Sequence, residues 1–386
     1  ELIGLQKRIY HSLKSEAERV MGEPPDAIAS YEREYRKEFA RALKAPSPRV
    51  LLKREFIRTL RDCDVVLVGD FHTFPQAART ALRILREALR SDEEWWLGLE
   101  MVPSHRQSAL EKYTSGKLEE DAFLARIRYR EEWGFPWRNY APLVRFAKEH
   151  NVNLLGLNRP RALAWRRDRR SSRTYGTGRT QKPREKADLY ERDSWAAGVI
   201  TDRFVMPLEP GKKRRKLLAL YGELHISQGH LPLELEKLSK AFLKKPLKVA
   251  SVHLNEDRLY FRLLSQGKIP RVEVVELRSN SYCVLNSPPW EKYQSILDAQ
   301  AQSDEEGGML AWESGTDALS LLSHFAQRIS EFFEVAPPRL EGLNLVTINE
   351  ASQIRRFLKQ GVLSPAESKL LRYHLLHNQR VYIPQR

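Results

Sequence analysis

Seven short apolar runs lie between residues 65 and 285, at Val65–Val68, Trp95–Glu100, Val152–Leu157, Leu217–Tyr221, Val249–Leu254, Val272–Leu277 and Tyr282–Leu285. Runs of this length read as buried strands. Amphipathic stretches separate several of them. In Pro75–Leu89 the residues Ala78, Ala81, Leu82, Leu85 and Leu89 share one face; Thr73 is the expected N-cap, and Pro75 suits the first turn. A second helix, Tyr140–Glu149, precedes the third run. Strands alternating with helices give an α/β fold whose mostly parallel sheet is covered on both faces.

The flanks differ. Leu5, Ile9, Leu13, Ala17 and Val20 recur at helical spacing, Pro24-Pro25 interrupts, and a charged helix continues to Leu43. Residues 1–48 are therefore expected to form an N-terminal helical hairpin on an α/β domain spanning 49–287. After Ser287-Pro288-Pro289 helices are expected at Asp317–Val335, Asn349–Gln360 and Pro365–Asn378. A capping box, Ser364-Pro365-Ala366-Glu367, opens the last of these, so 288–386 reads as a mainly helical appendage. The chain starts at Glu1 instead of Met and ends just after the strand-like Val381-Tyr382-Ile383. A processed or trimmed N terminus and a native chain that continues past Arg386 are the expectations. With no signal peptide or lipobox in view, the bacterial cytoplasm and the cell envelope both stay open as locations.

Composition narrows the class. Hydrophobic residues make up 41% of the chain, enough for a packed core. No apolar run approaches the ~18 residues that span a bilayer. Cys63 and Cys283 belong to no CxxC pattern and read as buried thiols, not a disulfide framework or a zinc site. The net charge of +15 favours anionic partners. From Arg159 to Lys186 eleven Lys or Arg stand against Asp168 and Glu185, and Lys212, Lys213, Arg214, Arg215 and Lys216 form a second cluster. The stretch 159–187 has little apolar periodicity and reads as a long exposed basic loop. An anionic partner, nucleic acid included, is expected there if anywhere, although no nucleic-acid module is visible.

One local device recurs. Gly69-Asp70-Phe71-His72 and Gly222-Glu223-Leu224-His225 each follow an apolar run. In an open α/β sheet ligands bind at the carboxyl ends of the strands. Glu100 ends the second run, Asn158-Arg159 the third, and His253 lies in the fifth. One strand–helix–strand unit separates His72 from Glu100. Their strand ends should lie ~5 Å apart if paired, or ~10 Å apart with one strand between. His72, Glu100 and His225 are the site core this pattern suggests. They have the ligand types for Mn²⁺, Fe²⁺ or Zn²⁺, and without metal they suit acid–base catalysis on an ester or amide. Ser104 and Ser227 lie in no Gly-x-Ser-x-Gly elbow, which argues against a serine hydrolase. His105 and His230 are either neighbours of the site or exposed. The aromatic stretch from Trp133 to Tyr140 either walls a flat ligand or caps the core.

These residues resemble the ChaN-like haem-binding family of the Tiki, TraB and erythromycin-esterase superfamily. The resemblance runs from about Val65 to Leu235. It rests on Val68-Gly69-Asp70-Phe71-His72, Gly98-Leu99-Glu100-Met101, Trp133-Gly134 with Tyr140-Ala141-Pro142-Leu143, Leu157-Asn158-Arg159-Pro160, Glu191-Arg192-Asp193-Ser194-Trp195-Ala196, and Gly222-Glu223-Leu224-His225 with Gly229-His230-Leu231-Pro232. It implies a three-layer α/β/α fold and a shared site built from the two Gly-x-x-His motifs and the Glu-Met strand end. It further implies haem binding in iron uptake, with a tyrosine as axial ligand; Tyr140, Tyr175 and Tyr221 are the candidates. Arg159 would pair with propionates, and His253 would stand nearby. The superfamily alternative is hydrolysis of an ester or peptide bond by His72, Glu100 and His225, with or without a divalent metal. A homodimer is compatible with either reading.

Overall fold

The computed structural model describes residues 2–90, 93–160, 182–205, 215–242, 246–267, 273–304, 330, 336, 344–348 and 381–385. The chain divides into two compact units, Glu1–Ala301 and Gln302–Arg386. In the second unit β9 (Asn344–Ile348) and β10 (Val381–Gln385) pair antiparallel, with Val381 opposite Ile348. The three C-terminal helices expected at 317–335, 349–360 and 365–378 lie almost wholly outside the described residues.

The first unit is built on an eight-stranded sheet of order β1-β7-β8-β6-β2-β5-β3-β4. Its strands are β1 (Val50–Leu51), β2 (Val65–Asp70), β3 (Glu94–Pro103), β4 (Asn153–Asn158), β5 (Arg215–Gly222), β6 (Val249–Leu254), β7 (Glu273–Arg278) and β8 (Ser281–Leu285). From β8 to β4 neighbours run parallel; the β1–β7 and β7–β8 pairings are antiparallel. All seven expected runs are strands of this sheet. The central strand β2 is buried along its whole length, because both faces are covered. Val66 and Val68 face a core shared with α5 (Gln76–Ala88), α6 (Gln107–Thr114), α7 (Glu120–Ile127) and α9 (Trp137–Glu149). Val65 and Leu67 face the opposite core, closed by α10 (Lys182–Ile200) and α11 (Leu231–Phe242). The alternation follows from the two-residue period of a strand. The fold is thus α/β in three layers.

Two boundaries moved for physical reasons. Helix α5 begins at Gln76 with Pro75 as N-cap and no side-chain cap, since the Thr73 hydroxyl instead pairs with Ser295 Oγ at 2.8 Å. The end of the expected basic loop is helical, because α10 already starts at Lys182. Pro183 falls in its first turn, where no backbone donor is needed, and Glu185, Lys186 and Ala187 favour helix. Residues 161–181 of that stretch, Tyr175 among them, lie outside the described residues.

The N-terminal segment forms α1 (Leu2–Met21), α2 (Asp26–Glu38) and α3 (Ala40–Lys44). Phe39 and Ala42 pack with Leu259 and Leu263 of α12 (Asp257–Ser265) and with Val275 and Leu277 of β7. Arg262 of α12 donates to the Ala42 carbonyl at 3.0 Å and also caps the Leu43 and Ala45 carbonyls.

Candidate functional site

The strand order decides between the two separations expected for His72 and Glu100. β5 lies between β2 and β3, and β5 carries the second Gly-x-x-His motif. Three adjacent carboxyl ends therefore deliver His72, His225 and Glu100 to one place. The two motifs are joined by their backbones, with Glu223 N–H donating to the Asp70 carbonyl at 3.0 Å. Neither Gly69 nor Gly222 has positive φ; close approach is what requires glycine. A Cβ on Gly222 would stand 3.3 Å from Glu100 Oε2, 3.3 Å from His225 Cδ2 and 3.6 Å from His72 Cε1. The three side chains converge on the face of one glycine.

Each imidazole is held by an aspartate. His72 Nδ1 lies 2.9 Å from Asp70 Oδ2, and Tyr140 donates its hydroxyl to the same oxygen at 2.9 Å. His225 Nδ1 lies 2.6 Å from Asp193 Oδ1, while Tyr31 donates to Asp193 Oδ2 at 2.8 Å. A carboxylate only accepts, so each Nδ1 carries a proton and donates it to its aspartate. The site thus contains two Tyr–Asp–His relays. Asp70 and Asp193 are both buried.

Glu100 sits between them at 2% exposure, in the stretch where the β3–β4 register shifts. A buried carboxylate needs compensation. Arg192 supplies it with Nη2 at 2.5 Å from Oε1, and the Gly222 N–H donates to Oε2 at 2.6 Å. Burial pushes the Glu100 carboxyl upward, but the charges of Arg192, His72 and His225 and the Gly222 hydrogen bond hold it below the usual value. Burial likewise opposes charge on His72. The Asp70 hydrogen bond, the Asp70 charge and the Glu100 charge outweigh it, so the imidazole is held above its ordinary value against the charge of Arg192.

His72 is the accessible member, with a side chain 28% exposed. Its ring is edge-on to Trp133 at 4.6 Å and tilted to Phe135 at 4.8 Å. Trp133 and Phe135 thus pack around His72, while Tyr140 is buried in the core.

The remaining candidates sit elsewhere or are engaged. Tyr140 spends its hydroxyl on Asp70, and burial followed by the Asp70 charge raises its pKa well above the ordinary phenol value. Burial and the Glu100 charge do the same to Tyr221. A phenolate ligand at either position is disfavoured. Arg159 is paired with Asp188 at 2.9 Å and Glu191 at 2.7 Å. His253 is wholly buried, its ring edge-on to Tyr35 and Phe39. His105 is exposed, whereas His230 is buried and stacks on Tyr31 at 3.7 Å. Among the described residues no group of three or more His, Cys, Asp or Glu side chains is arranged to hold a metal ion. Beside Glu100 the guanidinium of Arg192 already supplies the positive charge.

Sequence reasoning omitted Asp70, Arg192, Asp193 and Tyr31 from the site. Asp70 lies inside the first motif, and Arg192-Asp193 inside Glu191-Arg192-Asp193-Ser194-Trp195-Ala196, but residue type and spacing alone assign them no role. Tyr31 has no local signal; it reaches the site only through the packing of α2.

Residues 56–191 match the family model described as haem-binding uptake, Tiki superfamily, ChaN. No curated protein matches the chain. Among solved structures, the chain is similar to ChaN of Campylobacter jejuni, described with cofacial haem binding, at 16% identity and a TM-score of 0.41 over 61% of this chain and 91% of that one. It is also similar to the type III effector HopBA1, at 11% identity and 0.38 over 63% and 97%. A third is RRSP, a MARTX toxin effector domain from Vibrio vulnificus, at 15% identity and 0.31 over 52% and 36%. At these scores the likenesses carry no functional argument. The family match covers β2 to β4 and the start of α10 and stops just before Arg192, so His225, Asp193 and Tyr31 fall outside it. Over residues 56–191 the chain is similar to the ChaN-type haem-binding family of the Tiki superfamily.

Proposed function

We propose that the chain binds haem at the carboxyl edge of its sheet, with His72 as the iron ligand. The observation that carries this reading is the state of His72: partly exposed, Nδ1 fixed on Asp70, flanked by Trp133 and Phe135. A ligating histidine commonly donates its other ring N–H to a carboxylate, which fixes the ring and raises its basicity. Indole and phenyl faces suit a porphyrin edge. Haem, when bound, supplies an iron centre whose reactivity the axial ligand and surrounding polarity tune. The protein's own part is to orient His72 through Asp70 and Tyr140 and to set the buried Glu100–Arg192 pair beside it. Haemin titrated into the purified protein should give a saturable, shifted Soret band that His72→Ala weakens strongly. A wild-type protein with no saturable change, or a His72→Ala protein with unchanged affinity and spectrum, overturns the reading.

A second reading has its own observation. Two aspartate-held imidazoles beside one glycine, with a carboxylate between them, are arranged for proton transfer. Under that reading the chain hydrolyses an ester or amide without metal, and His72 and His225 divide the base and acid roles. Turnover of ester or amide substrates that disappears in both His72→Ala and His225→Ala proteins, with no haemin binding by wild type, would favour it over haem.

A further inference from the structure

The family match begins at residue 56, yet α2 lies directly on the site. Four of its side chains reach the loop of the second motif. Tyr35 donates to Glu223 Oε2 at 3.4 Å, and Glu38 Oε1 accepts from Gln228 N–H at 3.0 Å. Glu34 Oε2 stands 3.2 Å from His230 Nε2. Tyr31 goes deepest: it is fully buried, stacks on His230 and lies edge-on to His225 at 5.4 Å.

We infer that the N-terminal hairpin is a working part of the site, with Tyr31 the positioning residue that fixes His225 through Asp193. The geometry is specific. Asp193 has no exposure, and its two oxygens are divided, Oδ2 taking the Tyr31 hydroxyl at 2.8 Å and Oδ1 facing His225 Nδ1 at 2.6 Å. With Oδ2 pinned, the carboxylate cannot rotate, and the imidazole that follows Oδ1 is held in one tautomer and one orientation. A Tyr–Asp–His contact also holds His72, but there Tyr140 and His72 Nδ1 share one oxygen of Asp70, Oδ2. That relay lies wholly within the matched segment. The second is completed only by a helix from outside it. Hydrogen-bonded networks of this kind act as units in a low-dielectric interior. His225 is 6% exposed and faces the same glycine as His72 and Glu100, so whatever occupies that edge meets a floor whose orientation α2 sets.

The functional half of this inference rests on the haem reading; the positioning half does not, and the test separates them. The full chain is labelled with ¹⁵N-histidine, and imidazole ¹⁵N–¹H correlations are recorded for wild type, Tyr31→Phe and, as a reference for a severed relay, Asp193→Asn. Resonances of His225 and His72 are assigned from His225→Gln and His72→Gln. Tyr31→Phe keeps the ring that stacks on His230 and removes only the hydroxyl; thermal melting verifies that it stays folded. The Nδ1–H resonance of His225 should move or broaden in Tyr31→Phe, toward its behaviour in Asp193→Asn, while that of His72 stays in place. Haemin affinity of Tyr31→Phe should fall roughly three- to tenfold, the scale of one hydrogen bond. A folded Tyr31→Phe protein with an unchanged His225 resonance overturns the inference. A moved resonance with unchanged haemin affinity overturns the functional half. If wild type binds no haemin, the haem reading fails alone, and the resonance still decides the positioning role.

Discussion

Arg192 of α10 reaches Glu100 of β3 across the carboxyl edge of the sheet, Nη2 to Oε1 at 2.5 Å. A residue just beyond the matched segment thereby neutralises a carboxylate inside it. Removing one partner of a buried pair leaves an uncompensated charge, at a cost of about 3–5 kcal/mol. Arg192 retains 26% side-chain exposure, which puts the expected loss at the lower end, about 3 kcal/mol. Arg192→Met should lower the denaturation midpoint accordingly, and Arg192→Met with Glu100→Gln should recover part of the loss. A double variant less stable than the single one would show that the pair is not what Arg192 serves.

Asp70 accepts from both His72 and Tyr140, so Asp70→Asn removes the charge and one acceptor oxygen from that relay. Loss of an outer partner of a ligating histidine typically costs 10–100-fold in affinity, and haemin affinity should fall by roughly that factor. Tyr140→Phe leaves the carboxylate in place and should cost less. Soret titrations of the two variants give the order; Tyr140→Phe weaker than Asp70→Asn would reverse the assigned roles.

How much of this was legible follows from where each signal lives. The seven strands were readable because a strand buried on both faces is a continuous apolar run, as Val65–Val68 is. His72, Glu100 and His225 were readable because they follow such runs directly. The insertion of β5 between β2 and β3 was not, since strand order depends on long-range packing that no local pattern encodes. Asp193 escaped for a related reason: it sits mid-helix, where a carboxylate normally faces solvent, and only the tertiary fold buries it. His253 shows the opposite error. Its place near a strand end suggested the ligand edge, but its ring packs under α2 against Tyr35 and Phe39.

The convergence on Gly222 gives a steric test. An alanine methyl there would meet Glu100 Oε2 and His225 Cδ2 at 3.3 Å, so both must give by a few tenths of an ångström. Gly222→Ala should cost about 1–3 kcal/mol in stability, as overpacking does, and should weaken haemin binding. Gly198 of α10 is the control, because a Cβ there meets nothing within 4 Å. Gly198→Ala should stabilise by roughly 0.5–1 kcal/mol, the helix-propensity gain, with binding unchanged. Equal effects of the two substitutions would remove the case for a crowded Gly222.

His253 makes stability depend on pH. Both ring nitrogens are buried and unpartnered. Burial, followed by the charges of Arg278 and Lys292, lowers its pKa to about 3. In the unfolded chain a histidine titrates near its ordinary value of about 6.5. Between these limits the unfolded state binds the extra proton, so stability rises with pH. The contribution of the neutral ring is complete above about pH 6.5 and is lost progressively as pH falls toward 3. The slope for one proton is at most about 1.4 kcal/mol per pH unit, or about 2 kcal/mol between pH 6.5 and 5. His253→Phe keeps an aromatic ring beside Tyr35 and Phe39 and has nothing to protonate. Urea melts of wild type and variant at pH 7.5, 6 and 5 should show the variant gaining on wild type as pH falls. A stability difference that stays constant across this range would mean that His253 finds a proton acceptor in the folded protein.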